Sequence, residues 1–341
     1  MNSKIFNFLI LLIFLFGFQV LEGKSQDLKL FVLPFENFSS NPQAFERIYP
    51  LLIKELSERG FDFYEEEYVK GVMKEIGIKE RGFVLKDHMD QLYKNYGIQY
   101  LLTGGILNFS EDTYPRVSLH VRIVKLPEKK IIWSGYYGKT GEEYEGFFGL
   151  GKVRDIDELS RRVLKGLFSE LHIKTLISKI EARPKKRMVL LPFRNLSQEA
   201  WVGKMATYIL LTELTKLEEI EVSEMGEAID FMIKYTVLPL AEMTYADLES
   251  AALEMEVDYV ILGTVDDFWE EGVKTYYPLV VLALRILNTK ERKVLYADDC
   301  YFTGISKEGI LESGRIRLGA NVAYECAKKL VKKIKNLEKG P

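Results

Sequence analysis

The chain repeats itself, and this repeat restricts the possible folds more than any other feature of its 341 residues. Three segments of the first half recur in the same order in the second half: residues 33–39 and 191–197, 97–104 and 256–263, 121–124 and 284–287. Their separations are 158, 159 and 163 positions, so the spacing drifts by only a few residues. Ordered matches at a nearly constant spacing are typical of duplicated structural units. The sequence therefore predicts two tandem copies of one module.

Each copy has the pattern of an α/β module built on a mixed sheet. A short apolar run, at residues 28–35 or 188–193, ends in Pro, Asn and Ser and predicts a buried strand followed by a turn. An amphipathic helix, a short second strand and two helical stretches follow it. Three further strands predict a meander, at residues 98–109, 116–125 and 130–139 and again at 258–268, 277–287 and 293–302. A terminal helix with one apolar face ends each copy.

The first 25 residues resemble a secretory signal peptide in composition. Lys4 is followed by an uncharged apolar run, residues 5–21, and then by a short polar stretch. Gly23 and Ser25 are the small residues that a signal peptidase requires, which predicts cleavage before Gln26. The alternative is an uncleaved anchor, because the apolar run is nearly long enough to span a bilayer. Under both interpretations the rest of the chain leaves the cytoplasm.

The repeat also sets the predicted domain boundaries. The first module is expected at residues 26–172 and the second at residues 188–341, with a basic linker at residues 173–187 between them. This length suits two domains of ordinary size. A net charge of −3 provides no basic field, so nucleic acid is not an expected partner. Cys300 and Cys326 could form a disulfide in an exported protein, but we expect free, buried cysteines that pack as small apolar side chains.

The second meander strand differs between the copies on one of its two faces. Both copies place apolar residues on the inner face. The opposite face of copy one carries Ser118, His120 and Arg122, which predicts exposure to water. In copy two the same face carries Val281 and Ala283 beside an arginine, and this apolar character predicts cover by the other module or by another chain. Val281 and Ala283 are therefore candidate interface residues.

These motifs resemble a periplasmic superfamily of envelope proteins. The motif Leu-Pro-Phe-x-Asn-x-Ser, the later Gly-x-x-Tyr segment and the three-stranded meander are similar to the amino-terminal domain of TolB, to curli-secretion (CsgG-like) proteins and to LpoB-type lipoproteins. The resemblance covers nearly the whole mature chain, once in each copy. It implies a periplasmic or outer-membrane-associated binding module without catalysis. The chain departs from the lipoprotein pattern because it has no cysteine before Cys300.

A glycine-rich segment, residues 141–155, is the strongest candidate for chemistry. Residues 146–152 match part of a phosphate-binding loop, but Val153 stands where a Ser or Thr should bind Mg²⁺. The same loop presents Phe147, Phe148 and Leu150 among glycines, and apolar loop tips of this kind often contact a partner or a lipid surface. The alternative is that these side chains pack under their own module.

We therefore expect a non-enzymatic exported envelope protein that acts as a protein-binding or assembly module. No residue pattern predicts a catalytic, cofactor-binding or metal site, and the three histidines lie far apart. The expected partners are envelope proteins or a second copy, with peripheral membrane contact as an additional prediction. The expected location is the periplasm, with outer-membrane association or anchoring by residues 5–21 as alternatives. The alternative function is a small-ligand or nucleotide-binding enzyme that uses the loop at residues 141–155.

Overall fold

The computed structural model describes residues 28–79, 82–144, 151–181, 186–237, 243–272, 274–309 and 314–338. The signal segment, residues 1–25, lies outside these ranges. The loop side chains Phe147, Phe148 and Leu150 lie outside them as well. What we expect of both segments therefore stays a prediction.

The first module contains a six-stranded mixed sheet. Its elements are β1 (Lys29–Val32), β2 (Glu36–Asn37), α1 (Ala44–Ser57), β3 (Asp62–Phe63), α2 (Glu66–Ile76), α3 (Lys86–Tyr96), β4 (Tyr100–Ser110), β5 (Arg116–Lys125), β6 (Lys130–Thr140), a 3₁₀ helix (Gly141–Tyr144), α4 (Ile156–Leu167) and α5 (Ile173–Glu181). The strand order is β3-β1-β4-β5-β6, and β2 pairs with β4. Strand β1 is parallel to β3 and β4, whereas β4, β5 and β6 form an antiparallel meander.

The second module contains the same sheet. Its elements are β7 (Lys186–Leu190), β8 (Arg194–Asn195), α6 (Val202–Leu214), β9 (Ile220–Val222), α7 (Met225–Lys234), α8 (Tyr245–Glu254), β10 (Tyr259–Trp269), β11 (Leu279–Asn288), β12 (Lys293–Thr303) and α9 (Gly319–Glu338). The strand order is β12-β11-β10-β7-β9, and β8 pairs with β10. The predicted α/β fold of two similar modules is confirmed.

The recurring motif explains why both modules start in the same way. The side chain of Asn37 accepts a hydrogen bond from the backbone N–H of Ser39 at 3.0 Å, and Asn195 accepts one from Ser197 at 3.0 Å. Such an Asx turn redirects the chain from the strand into the following helix. The meanders also share a bulge in β4 and β10, between Ile106 and Asn108 and at the corresponding place in the second module.

Part of the segment predicted as a linker is helical. Helix α5 buries Leu176 in the core of the first module, and Ile173 and Ile180 pack beside it. Their spacing of three and four residues places all three on one face of the helix. Strand β7 begins at Lys186, so the last two residues of the predicted linker belong to the second sheet.

The two sheets stack with helix α6 between them. Within each module, one sheet face packs on two helices, which are α1 and α4 for the first sheet and α6 and α9 for the second. The opposite side of α6 lies on the other face of the first sheet, against β4, β5 and β6. Helix α6 is therefore buried on all sides, and only Lys204 among its residues is partly exposed. A single apolar cluster extends from Phe31 and Leu101 of the first module to Met188 and Leu282 of the second.

The position of α6 reverses the exposure predicted for the second meander strands. Ser118, His120 and Arg122 are completely buried beneath the second module, so the prediction that they face water is wrong. The prediction failed because it equated polarity with exposure, whereas Arg122 binds Glu224 of the second module and His120 stacks on Tyr208 and contacts Ser134. The corresponding residues Val281 and Ala283 are half-buried, and the first module does not cover them.

Cys300 and Cys326 form a disulfide, which corrects the expectation of two free thiols. Strand β12 packs against helix α9, and this contact brings the two Cα atoms to 5.6 Å. That separation lies within the range that a disulfide can span. The packing of a strand on a distant helix, and not the spacing of the cysteines in the sequence, decides the bond.

Candidate functional site

Paired polar side chains join one face of the first sheet to the second module. The same face of the second sheet is the candidate site. The guanidinium of Arg122 donates from Nε to Glu224 at 2.7 Å and makes a second, shorter contact with the same carboxylate. Nη2 of Arg122 also donates to the carbonyl oxygen of Gly82 at 2.7 Å. A buried charge is tolerated only when it is paired and hydrogen-bonded in this way.

Aromatic and histidine rings extend this contact along α6. The ring of Tyr208 stacks on His120 with centroids 4.9 Å apart, and Nε2 of His120 lies 2.9 Å from the hydroxyl of Ser134. The hydroxyl of Tyr208 donates to Glu36 at 2.8 Å, and Lys204 donates to the same carboxylate at 2.7 Å. The interface is thus a network of paired polar groups set in an apolar surround.

The titratable groups of the network are strongly perturbed. Burial, assisted by the positive charge of Arg122, lowers the pKa of His120 well below its usual value. Burial and the neighbouring carboxylate of Glu36 raise the pKa of the Tyr208 hydroxyl. Burial opposes the charge of Arg122, but attraction to Glu224 is large enough to raise its pKa. The imidazole is therefore neutral near pH 7, and the guanidinium is charged.

The same sheet face in the second module is largely uncovered. Helices α7 and α8 lie against only its β7 and β10 side, where a small apolar cluster includes Val260 and Leu287. Among the described elements, no further helix or strand packs extensively on the rest of this face. We call this surface the open face, and it comprises Leu196, Val281, Ala283, Arg285, Asp299 and Tyr301.

The open face combines apolar and charged side chains. Tyr301 is 60% exposed and Leu196 50% exposed. Val281 pairs with Tyr301 across the strands, and Ala283 pairs with Asp299. Mixed surfaces of this kind, with aromatic residues beside charges, are typical of interfaces between proteins that also exist separately. The structure thus brings the candidates Val281 and Ala283 together with side chains that the sequence did not single out.

An alignment of the two copies identifies Leu196, a residue of the open face that the sequence analysis did not single out. Leu196 occupies the position of Phe38, which packs against Trp201 and Tyr208 with ring centroids 6.2 and 6.0 Å away. Leu196, by contrast, is half exposed. The signal for Leu196 is therefore the apolar residue that it shares with the motif of the first copy, at a position where Phe38 packs on aromatic rings.

The glycine-rich segment gives the nucleotide alternative no support in its described part. Val153 is buried, and its N–H donates to the carbonyl oxygen of Gly141 at 3.0 Å. Helix α4 begins only at Ile156, and the carboxylate of Asp155 already accepts from the N–H of Glu158 at 2.6 Å. A phosphate site needs such helix N-terminal groups to be free. Phe147, Phe148 and Leu150 lie outside the described residues.

Two further features bear on function. Within the described ranges, no three His, Cys, Asp or Glu side chains are arranged to hold a metal ion. Among the described helices, none combines the length and the apolar composition needed to cross a membrane.

No protein-family model matches this chain, and neither does any curated protein. Solved structures do match it. Lipoprotein GNA1162 from Neisseria meningitidis shares 14% identity and a TM-score of 0.30 over 44% of this chain and 99% of its own. The LpoB C-terminal domain from Salmonella enterica shares 12% identity and a TM-score of 0.27 over 37% of this chain and 90% of its own. TolB from Acinetobacter baumannii shares 11% identity and a TM-score of 0.27 over 47% of this chain and 29% of its own.

These matches confirm the predicted resemblance to LpoB-type and TolB-like proteins. Each match covers about half of this chain or less.

Proposed function

We propose that this chain is a non-enzymatic, exported envelope protein that binds protein partners, or assembles with itself, in the periplasm or at the outer membrane. The observation that carries this proposal is the open face of the second sheet. Its counterpart in the first module is completely buried under α6, whereas the open face leaves Leu196 and Tyr301 exposed. Exposed apolar patches bordered by polar residues commonly mark sites of protein–protein interaction.

The proposal of export rests on the N-terminal segment. A lysine, a long apolar run and small residues before Gln26 form the order expected of a signal peptide. Fractionation of cells, together with N-terminal sequencing of the protein, tests this part. We expect a chain that begins near Gln26 outside the cytoplasm. Unprocessed chain in the soluble cytoplasm would contradict it.

Crosslinking from the open face tests the binding role. Tyr301 is replaced by a photoreactive phenylalanine derivative, and cells are irradiated before the envelope is fractionated. We expect a discrete adduct of higher mass. Tyr93 on α3 of the first module is 38% exposed and is not part of the open face, so the same replacement at Tyr93 provides the control. Equal labelling at both positions, or no adduct at Tyr301, would show that the open face is not a binding surface.

The nucleotide-binding alternative predicts a different result. A ligand present at about a hundred times its dissociation constant stabilises a protein by about 2.7 kcal/mol. We expect no rise in melting temperature with adenine or guanine nucleotides and Mg²⁺. A clear rise that Lys152→Ala abolishes would favour the enzyme alternative.

A further inference from the structure

Within the chain, one sheet face of the first module is joined to a helix face of the second module. The corresponding sheet face of the second module and the corresponding helix face of the first module are not joined to each other within the chain. The joined faces are the outer face of the first sheet and the helix surface of the second module formed by α6, α9 and the start of α7. Their counterparts are the open face of the second sheet and the surface of α1, α4 and the start of α2 in the first module. These two counterparts also match each other in charge and in side-chain size.

The helix faces can be aligned from the residues that they bury. Helix α1 buries four residues at a regular spacing, and α6 buries the residues 158 positions later: Ala44, Ile48, Leu52 and Leu56 correspond to Val202, Ala206, Leu210 and Leu214. Because a helix is rigid, this match fixes the residues that point away from the module. Glu46 then corresponds to Lys204, and Pro50 corresponds to Tyr208.

The remaining positions are fixed by the cap and the strand registers. Glu65 and Glu224 both precede a helix with nearly identical backbone angles, so they correspond. On the sheet, β5 and β6 pair as β11 and β12 do, with Arg122 opposite Ser134 and Arg285 opposite Ala297. Arg285 therefore corresponds to Arg122.

The first ion pair of the internal contact is retained in the counterparts. Within the chain, Arg122 binds Glu224. The counterparts Arg285 and Glu65 have the same charges, and both side chains are exposed. If two copies dock as the modules do, these two opposite charges face each other.

The second ion pair is present with both signs reversed. Within the chain, Glu36 binds Lys204 at 2.7 Å. The counterpart of Glu36 is Arg194, and the counterpart of Lys204 is Glu46. Nε of Arg194 is buried and has no hydrogen-bond partner among the described residues, whereas Glu46 is exposed. Simultaneous reversal of both charges preserves attraction, and a change at either position alone would not.

A third position changes from an aromatic contact to a charge pair. Within the chain, the rings of Tyr136 and Tyr324 lie 5.0 Å apart. Tyr136 lies opposite His120 on the first sheet, and Asp299 lies opposite Ala283 on the second. Asp299 therefore corresponds to Tyr136. The residue of α4 that corresponds to Tyr324 is Arg161, which is exposed. Asp299 and Arg161 have opposite charges.

The side-chain sizes also change together. Gly105 leaves room for the ring of Tyr208, since a Cβ there would lie only 3.0 Å from the ring. In the second sheet this position is Thr264, and the matching helix residue is the smaller Pro50. A surface cleft of about 920 Å³ beside Pro50 and Glu46 has space for side chains of a second molecule.

We infer that the open face of one copy binds α1, α4 and the start of α2 of a second copy, in the arrangement that joins the two modules within the chain. This inference rests on the proposed function and names its partner as this chain itself. Because the two surfaces differ, the contact is head-to-tail and repeats from copy to copy, giving a ring if the rotation closes and a filament if it does not. One difference from the internal contact is required. Gly226 of α7 lies against the backbone of Val84, and the corresponding residue of α2 is Glu67. Because Glu67 has a side chain where Gly226 has none, the segment before α8 in one copy must lie farther from α2 of the other copy than Val84 lies from α7.

Charge-reversed variants test the inference on the exported chain as the cell processes it. Arg285→Glu removes the sheet side of the contact, and Glu65→Arg removes the helix side. Each variant alone faces a like charge in its partner, so we expect the dissociation constant from sedimentation velocity to rise by more than about tenfold. In an equimolar mixture, the new carboxylate at position 285 of one variant can meet the new guanidinium at position 65 of the other, and the unchanged sides also match. We expect the mixture to recover association.

Lys74→Glu provides the matched control, because Lys74 corresponds to Ile233, which remains 68% exposed beside the internal contact. It should associate like the unchanged chain, and all variants should keep the same melting temperature. An unchanged chain that stays monomeric overturns the inference, and so does a mixture that stays dissociated while both variants are folded. If the crosslink from Tyr301 then joins a different protein, the proposed binding role stands and only the identity of its partner is wrong.

Discussion

At the scale of single residues, His120 shows how a titratable group can serve an interface. Its ring stacks on Tyr208 of the second module and lies 2.9 Å from the hydroxyl of Ser134. Burial and the nearby charge of Arg122 lower its pKa well below the usual value. The ring therefore stays neutral, and a proton added to it would be both desolvated and close to a guanidinium.

This lowered pKa predicts that the protein loses stability in mild acid. The unfolded chain protonates His120 near pH 6.5, whereas the folded protein does not, so the unfolded state binds more protons below that pH. Stability should fall as the pH decreases below about 6.5, with His120 contributing up to about 1.4 kcal/mol per pH unit. Urea unfolding of the wild type and of His120→Asn between pH 7.5 and 5 measures this contribution. Equal pH dependence in the two proteins would contradict the prediction.

At the scale of elements, the disulfide joins two segments that the sequence keeps apart. Cys300 lies on β12 and Cys326 on α9, and the bond closes a loop with a sequence separation of 26. Strand β12 is an edge strand of its sheet, and it also carries Asp299 and Tyr301 of the open face. The bond therefore fixes the edge of the candidate binding surface to the C-terminal helix.

We predict that loss of this disulfide lowers the free energy of unfolding by about 2–4 kcal/mol, because the reduced chain gains freedom when it unfolds. Urea unfolding of the double variant Cys300→Ser/Cys326→Ser measures the loss. The wild type treated with a reductant should show the same midpoint as the variant. A wild type whose midpoint is unaffected by reductant would show that the bond does not contribute.

The glycine-rich loop supplies a second prediction at this scale. Phe147 and Phe148 are expected to contact a partner, a second copy or a membrane surface. Replacing both with Ser should then leave the melting temperature nearly unchanged and weaken association. Val153→Ser is the matched control, since Val153 is buried beside the loop and its replacement should lower the melting temperature. If the double variant is destabilised as strongly as Val153→Ser, the two rings belong to the core of the module.

At the scale of the whole molecule, the two modules share one core. Helix α6 packs on both sheets, and a single apolar cluster contains residues from both modules. The side of α6 that packs on the first sheet would be exposed to water if the modules separated. Because the burial of apolar surface is the main favourable contribution to folding, neither module is expected to keep its stability alone.

We therefore predict a single cooperative unfolding transition for the mature chain. Variants that retain only Trp133, in the first module, or only Trp201 and Trp269, in the second, should report the same denaturation midpoint. Arg122→Ala should lower the free energy of unfolding seen by both reporters by about 3–5 kcal/mol, because it leaves the carboxylate of Glu224 buried without its partner. Two separate midpoints, or a loss confined to one reporter, would show that the modules unfold independently.

The sequence by itself determined the repeat, the order of strands and helices, and the inner apolar face of each sheet. These features depend on residues that are close in the chain, such as the turn at Asn37 and Ser39, and on periodicities that each element carries within itself. The sequence also indicated Val281 and Ala283 as unusual, because their side chains are apolar where the first copy has polar ones.

Only the tertiary structure decided which sheet face is covered and how the cysteines pair. Arg122 meets Glu224 at a distance of 102 positions along the chain, and neither residue alone indicates a buried ion pair. Two modules with the same fold can stack in more than one way, and each way buries a different set of polar groups. The choice depends on the partners that the buried charges find, such as Glu224 for Arg122, and those partners come together only when the second module is in place.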